Sequence, residues 1–263
     1  MEQTTKLKPI QPKPFLMQPV EIIIPFHGET SRVSKLIDSI FKTIHSNRYL
    51  ITLVDDGSEN KHFVKQIEKA KVPGLRCIRQ EHKGFGAAVN FALTNPFKTR
   101  NLNSIPWVCI MHSDVYVDNT VWLSKLGETL FNLSPEGVKM VSSVTNNPTV
   151  DSVHLRASKG EKKENHILSE GYLPMYCALA HRELFSRVGP FKEYPYAGLE
   201  TENYAIRMAK MGYKQGVCGA SWVHHEGGAT LKNFTENEKV QEILRNAKEE
   251  FDKNKVGAVN ITE

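Results

Sequence analysis

The chain is poor in cysteine. Four residues, Cys77, Cys109, Cys177 and Cys218, occur in 263, and none stand in C-x-x-C spacing, which excludes a zinc knuckle. Three of them lie inside apolar runs, the setting of a reduced, buried thiol. No apolar run approaches the roughly 18–20 residues of a membrane-spanning helix, and the opening MEQTTKLKPIQPKPF lacks the apolar core of a secretory signal. These absences lead to an expected cytoplasmic location, in which the N-x-S/T triplets at Asn132, Asn233 and Asn260 are chance occurrences. A strong charge bias is missing as well: 34 Lys and Arg against 29 Asp and Glu give a formal +5, spread along the chain. That balance suits a phosphate-bearing ligand and supplies no basic block that would by itself argue for nucleic acid. What is present is ordinary for a globular protein, 40% hydrophobic and 24% charged, so wholesale disorder is excluded and one α/β domain with small additions fits the length.

Residues 1–18 hold Pro9, Pro12 and Pro14 among Lys and Gln and read as an extended tail. The pattern then changes. Residues 20–24, VEIII, form a short apolar run ended by Pro25, as expected of a buried parallel strand. Residues 31–43 place Val33, Leu36, Ile37, Ile40 and Phe41 at helical spacing. Strands at 50–54, 75–79 and 107–111 alternate with helices at 61–70 and 86–93, which predicts a parallel sheet with right-handed crossovers. Beyond residue 111 the alternation loosens: helix 121–130, strand 138–144, strand 175–180, helices 181–188 and 200–211, and strand 216–223. Residues 146–170 read as a polar lid or disordered insert, and 236–253 as an amphipathic helix with Val240, Ile243, Leu244, Ala247 and Phe251 on one stripe. The predicted division is a tail of 1–18, a domain of 19–235 and a helical extension of 236–263.

Ligands of open parallel sheets bind beyond the carboxyl ends of the strands, and polar residues gather there. Asp55-Asp56-Gly57-Ser58 offers one acid to cap a helix and one to accept from a base or ribose. His112 and Asp114, two apart on an extended segment, point the same way; they are either half of a metal site or a strand-end turn with Asp114 as a cap. Of His224 and His225, adjacent on a strand, at most one faces a shared site. Glu200 and Glu202 open a helix, either as partners of its dipole or as a base for an acceptor hydroxyl. GFGAAVN is not a dinucleotide fingerprint, because it follows the third strand and lacks the third glycine.

Taken in order, seven segments resemble the family 2 glycosyltransferases: IIIPFHGE, LVDDGS, HKGFGAAVN, CIMHSDVYVD, ALAHRELFSRVGPFKE, GLETENYAIRMAKMGYK and WVHHEGGAT. HKGFGAAVN is closest in style to rhamnosyltransferase-like members. The resemblance covers about residues 20–231 and implies a GT-A Rossmann-like α/β fold, with a mainly parallel central sheet and helices on both faces. It implies transfer of a sugar from a UDP-, dTDP- or GDP-sugar to an acceptor hydroxyl, with Mn2+ or Mg2+, typically with inversion and a carboxylate base. By the same resemblance Pro25, His27, Glu29, Asp55 and Asp56 hold the base and ribose, and Lys83, Gly84, Asn90 and Ser113 lie along the donor. Asp114 and His224 hold the metal with His112 beside them, and Glu200 or Glu202 acts as the base. Two positions depart from the family pattern: His112 stands where the first acid of D-x-D is usual, and Thr201 where the Asp of the E-D pair is usual. The expected acceptor is a glycan or glycoconjugate. A nucleic-acid acceptor, a retaining mechanism, and a nucleotide-sugar-binding protein without turnover are the alternatives.

Overall fold

The computed structural model describes residues 18–44, 49–97, 105–148, 153–168, 171–194 and 199–227, together with Glu242, Arg245, Asn246, Lys248, Glu249, Phe251 and Asp252. Nine strands and six α-helices occur among them. In chain order they are β1 (Val20–Phe26), α1 (Thr30–Thr43), β2 (Tyr49–Asp56), α2 (His62–Ala70), β3 (Leu75–Gln80), α3 (Phe85–Thr94), β4 (Trp107–Met111) and β5 (Val115–Tyr116). Then follow α4 (Trp122–Leu133), β6 (Val138–Thr145), β7 (His166–Ile167), β8 (Cys177–His181), α5 (Arg182–Val188), α6 (Glu200–Lys210) and β9 (Lys214–His225).

The strands lie in the order β3-β2-β1-β4-β8-β6-β9-β5, with β7 paired to β9. β3, β2, β1 and β4 are mutually parallel, as are β6 and β9. β8 runs antiparallel between β4 and β6, and β5 and β7 run antiparallel to β9. The sheet is thus mainly parallel, as its apolar runs predict, with reversals confined to its second half. In β1, Ile22, Ile23 and Ile24 are all fully buried, the mark of a strand covered on both faces. Pro25 does not end that strand, which continues to Phe26; the pairing with β4 stops at Ile23, so Pro25 sits where β1 has lost one neighbour. In α1, Val33, Leu36, Ile37 and Ile40 form the buried stripe that their spacing predicts.

Of the segment expected to be a polar lid or disordered insert, the described residues 146–148 and 153–168 are docked along the sheet. Thr145 donates its N–H to Leu155 and accepts from the N–H of Ala157, and both Leu155 and Ala157 are buried. Trp222 Nε1 donates to the Ala157 carbonyl, and Asn165 Oδ1 accepts the Gly219 N–H. At the amino ends of the strands, Glu21 is fully buried in an ion network: its carboxylate accepts from Arg76, Arg182 and the Thr52 hydroxyl. Of the predicted final helix, the described residues between Glu242 and Asp252 are helical, and Phe251 packs on Tyr194 with ring centroids 6.2 Å apart.

Candidate functional site

The carboxyl ends of β1, β2 and β4 and the end of β9 meet along one edge, and most of the predicted site residues lie there. Asp55 and Asp56 end β2 and are both buried. Neither acid caps a helix as expected: Asp55 closes the turn after β2, accepting the Ser58 N–H at 2.8 Å and pairing with Arg79, while α2 begins later, after Lys61. Asp56 holds a loop. One of its oxygens accepts from Gln80 Nε2 and the Lys83 N–H at 2.7 and 3.0 Å, the other from His82 Nδ1 and the Gly84 N–H, both at 2.8 Å. Four donors, two side chains and two backbone N–H groups, fill its lone-pair positions, so the free acid expected of the pair is engaged by the protein itself. The Asp56 carbonyl accepts from His27 Nδ1 at 2.7 Å and His82 Nδ1 at 3.0 Å. A carbonyl only accepts, so both rings carry their proton on Nδ1 there. The two imidazoles lie with centroids 4.2 Å apart. Gly57 is obligatory at this turn: its φ is +77°, and a Cβ would lie 2.5 Å from the His82 nitrogen.

Gly84 precedes α3, and Phe85, its first residue, meets the His112 ring edge-on at 5.1 Å. This contact joins the Asp56-held loop to the next cluster. His112, Asp114 and His225 each offer one ligand atom, and these atoms all lie within 4.8 Å of one another. His225 Nε2 is 3.2 Å from Asp114 Oδ1, while His225 Nδ1 donates to the Asn147 carbonyl at 2.7 Å. With the Nδ1 proton fixed in that way, the Nε2 lone pair faces a carboxylate oxygen, and the pairing calls for a positive centre between them, a proton or a metal ion. Tyr176 stacks on the His225 ring at 5.3 Å and donates its hydroxyl to the Ser143 carbonyl at 2.6 Å. The His112 N–H bonds the Tyr176 carbonyl and the Glu226 N–H bonds the Asp114 carbonyl, while the Asn146 side chain accepts the His225 N–H at 2.8 Å, so the main chain of each ligand is tied down. Burial, together with the nearby His225, pushes the His112 imidazole down to about 4 against the opposing charge of Asp114. It is therefore neutral at physiological pH, the form that ligates. For Asp114, burial acts to raise the carboxyl, but the His225 hydrogen bond and the charges of His112 and His225 outweigh it and hold the group below its ordinary value. The donor set fits a divalent ion.

His224, the histidine expected in this cluster, is elsewhere. Its ring stacks on Tyr116 at 4.3 Å, with Lys35 Nζ 3.8 Å from the Tyr116 centroid. β5 and β9 pair Tyr116 with His224 and Val115 with His225. Glu29 belongs to a neighbouring ion cluster, bonded to Arg32, which with Lys35 also meets Glu226. Asn90 is a clamp: its amide donates to and accepts from the Phe191 backbone at 2.9 and 2.8 Å. Lys83 is exposed and Ser113 partly buried, and Pro25 is buried inside β1.

The second acid group opens α6. Glu200 is 4% exposed, and its Oε2 is buried without a hydrogen-bond partner among the described residues. Burial raises its carboxyl to about 7. Gly86 lets α3 approach it closely, since a Cβ there would stand 3.2 Å from the Glu200 Cβ and 3.1 Å from that of Phe191. Thr201 is buried, and Glu202 is partly buried. The Tyr172 phenol lies within the field of both acids; burial first, then the charges of Glu202 and Glu200, raises it. His225, Asn147 and Tyr176 were not singled out as site residues from the sequence; the strand alternation that admits only one of His224 and His225 was the available signal for the first.

An open α/β sheet with a two-histidine, one-carboxylate cluster at its strand ends, beside a helix begun by a carboxylate-held glycine loop, is the layout of an enzyme domain that binds a ligand at its carboxyl edge. Residues 21–189 match the Glycosyl transferase family 2 profile, and the chain belongs to that family. Solved structures share the fold. A mannosyltransferase, PcManGT from Pyrobaculum calidifontis, in complex with GDP-Man and Mn2+, is similar at 20% identity and a TM-score of 0.61, over 83% of this chain and 60% of that one. TarS 1-349 from S. aureus in complex with UDP-GlcNAc gives 16%, 0.60, 80% and 59% in the same order. GalNAc-T7 with UDP, GalNAc and Mn2+ gives 16%, 0.59, 79% and 44%. The chain thus spans less than two thirds of the length of each. None of the curated proteins matches it. The α/β fold expected from the sequence is the GT-A arrangement of these glycosyltransferases. Among the described residues no helix is long and apolar enough to cross a membrane.

Proposed function

We propose that this transferase moves a sugar from a nucleoside-diphosphate sugar to an acceptor hydroxyl, with a divalent ion held by His112, Asp114 and His225. The observation that carries the reading is that triad, preset at the carboxyl edge of the sheet and joined through Phe85 to the loop held by Asp56. Mn2+ accompanies nucleotide or nucleotide sugar in two of the similar structures, which supports the choice of ligand class. Bound there, the ion would offset charge on the departing nucleoside diphosphate. His27, with Asp55 and Asp56 fixing the turn beneath it, lies on the base and ribose side. Lys83 and Gly84 lie along the diphosphate, where α3 begins.

Glu200 is the proposed base. Thr201 has no carboxylate, and a carboxyl raised to about 7 is poised to take a proton from an acceptor hydroxyl near neutrality. Glu202, one residue past Thr201, stands beside it as the second acid, and a carboxylate base fits an inverting displacement on a glycan or glycoconjugate acceptor. We assign the transferase to residues 19–235, the tail to 1–18 and an attached extension to 236–263, the last supported by Phe251 buried on Tyr194. Incubation with Mn2+ and UDP-, GDP-, CDP- and dTDP-sugars tests the reading: one donor class is expected to release free nucleotide, with turnover lost in Glu200→Gln. Absence of nucleotide binding by calorimetry and of turnover with every donor refutes it. Binding with turnover unchanged in Glu200→Gln refutes the assigned base alone.

A further inference from the structure

The ligand chemistry of the triad says more than that a divalent ion binds. His112, Asp114 and His225 present two imidazole nitrogens and a single carboxylate. Hard ions such as Mg2+ favour oxygen donors and part reluctantly from water, whereas imidazole suits the borderline first-row ions. His225 Nε2 and Asp114 Oδ1 are 3.2 Å apart. That matches the roughly 3.0–3.4 Å between neighbouring ligands on an ion bound at about 2.1 Å. The arrangement does not depend on an ion to form. Asn147 holds the His225 tautomer through its carbonyl at 2.7 Å, Tyr176 stacks on the ring, and Phe85 packs against His112. Such outer partners make an imidazole a ready donor and fix its direction.

Resting on the metal site of the proposed function, we infer that the site prefers imidazole-binding ions, Co2+, Zn2+ and Fe2+, over Mn2+ and disfavours Mg2+, and that His112 sets this preference. His112 replaces what an aspartate would supply, a hard oxygen and a negative charge, with a neutral nitrogen. The site therefore carries one formal negative charge from its side chains, and the remaining oxygen donors come from the diphosphate of the substrate.

Calorimetric titration of the metal-stripped full chain with Co2+, Zn2+, Mn2+ and Mg2+, with and without UDP, tests this. Co2+ and Zn2+ are expected to bind at least about tenfold more tightly than Mn2+, with Mg2+ weakest. Many sites rank Co2+ over Mn2+, so the discriminating result is the response to His112→Asp: the Co2+ to Mn2+ affinity ratio is expected to narrow by about tenfold, and Mg2+ to bind more tightly. Should that variant fail to fold, the visible spectrum of the Co2+-loaded wild type decides. Bands stronger than and shifted from those of the aquo ion support nitrogen ligation, and an unaltered spectrum overturns it. An unchanged ratio in His112→Asp, or Mg2+ binding as tight as Co2+ in the wild type, also overturns the inference while leaving a metal site in place. If none of the ions binds in the presence of UDP, the metal-site reading falls with it.

Discussion

Replacing Glu200 by Gln should make this protein more stable in alkaline solution and leave it nearly unaffected in acid. Glu200 is 4% exposed, its Oε2 finds no partner among the described residues, and burial lifts its carboxyl from 4.5 to about 7. A carboxyl whose folded value lies above its unfolded value keeps its proton longer in the native state. Below 4.5 both states are protonated and the group makes no difference. Between 4.5 and about 7 the unfolded chain loses its proton first, so stability falls as pH rises; above about 7 the loss is complete. The shift of about 2.5, from 4.5 to about 7, corresponds at ~1.4 kcal/mol each to about 3 kcal/mol. Glutamine has nearly the same shape and cannot ionise, so the penalty vanishes in the variant. Urea unfolding of the metal-free protein and of Glu200→Gln at several pH values from about 4.5 to about 8 measures the difference directly. The variant should gain about 3 kcal/mol relative to wild type between the two ends. The end-to-end change matters more than either value alone, because any fixed cost of burying the amide cancels. A pH-independent difference, or a variant that loses stability toward alkaline pH, would refute the account of Glu200 as a buried carboxyl held against its ionisation. The same substitution should abolish turnover at the pH where it stabilises most, which a protein with a merely structural Glu200 would not show.

Three further outcomes follow from the contacts. His225→Ala should remove the thermal stabilisation given by divalent ions, while His224→Ala, a loss of ring contacts with Tyr116 and Trp222, should retain it; the reverse pattern would place the ligand on the wrong side of β9. Asp56→Asn should cost about 2–4 kcal/mol in urea unfolding, because a neutral amide with two donors of its own faces Gln80, His82 and the Lys83 and Gly84 N–H groups. Glu21→Ala removes the buried counter-charge of the partly buried Arg76 and Arg182 and should cost up to about 3–5 kcal/mol, with nucleotide affinity of the folded fraction unchanged since Glu21 lies at the amino ends of the strands; a loss of affinity at full folding would contradict that separation.

The sequence by itself determined the long strand runs and the reaction family, but not the two-residue strands β5 and β7, which are made only by pairing with β9. VEIII, a short apolar run ended by Pro25, reads as a strand buried on both faces, and its isoleucines are fully buried. The stripe of α1 and the first strand–helix alternation are equally local properties, set by side-chain period and turn residues. The ordered motifs place the chain in family 2, as the match over residues 21–189 shows. What sequence could not settle depends on partners far along the chain. The direction of β8 is decided by which neighbours, β4 and β6, are left to pair with it. Leu155 and Ala157, inside a stretch that composition marks as polar, are buried because Thr145 supplies backbone bonds to them. Asp55 and Asp56 look equivalent in LVDDGS, yet one caps the turn and the other binds the 82–84 loop, which only folding brings alongside. The plainest case is His224 against His225. Alternation along a strand allows only one to face the site, but its parity depends on register, and β9 slips against β6 between Cys218 and Trp222. A slip of that kind changes which residues face inward without leaving a mark in local composition, and so the tertiary structure alone put His225 beside Asp114 and His224 on Tyr116.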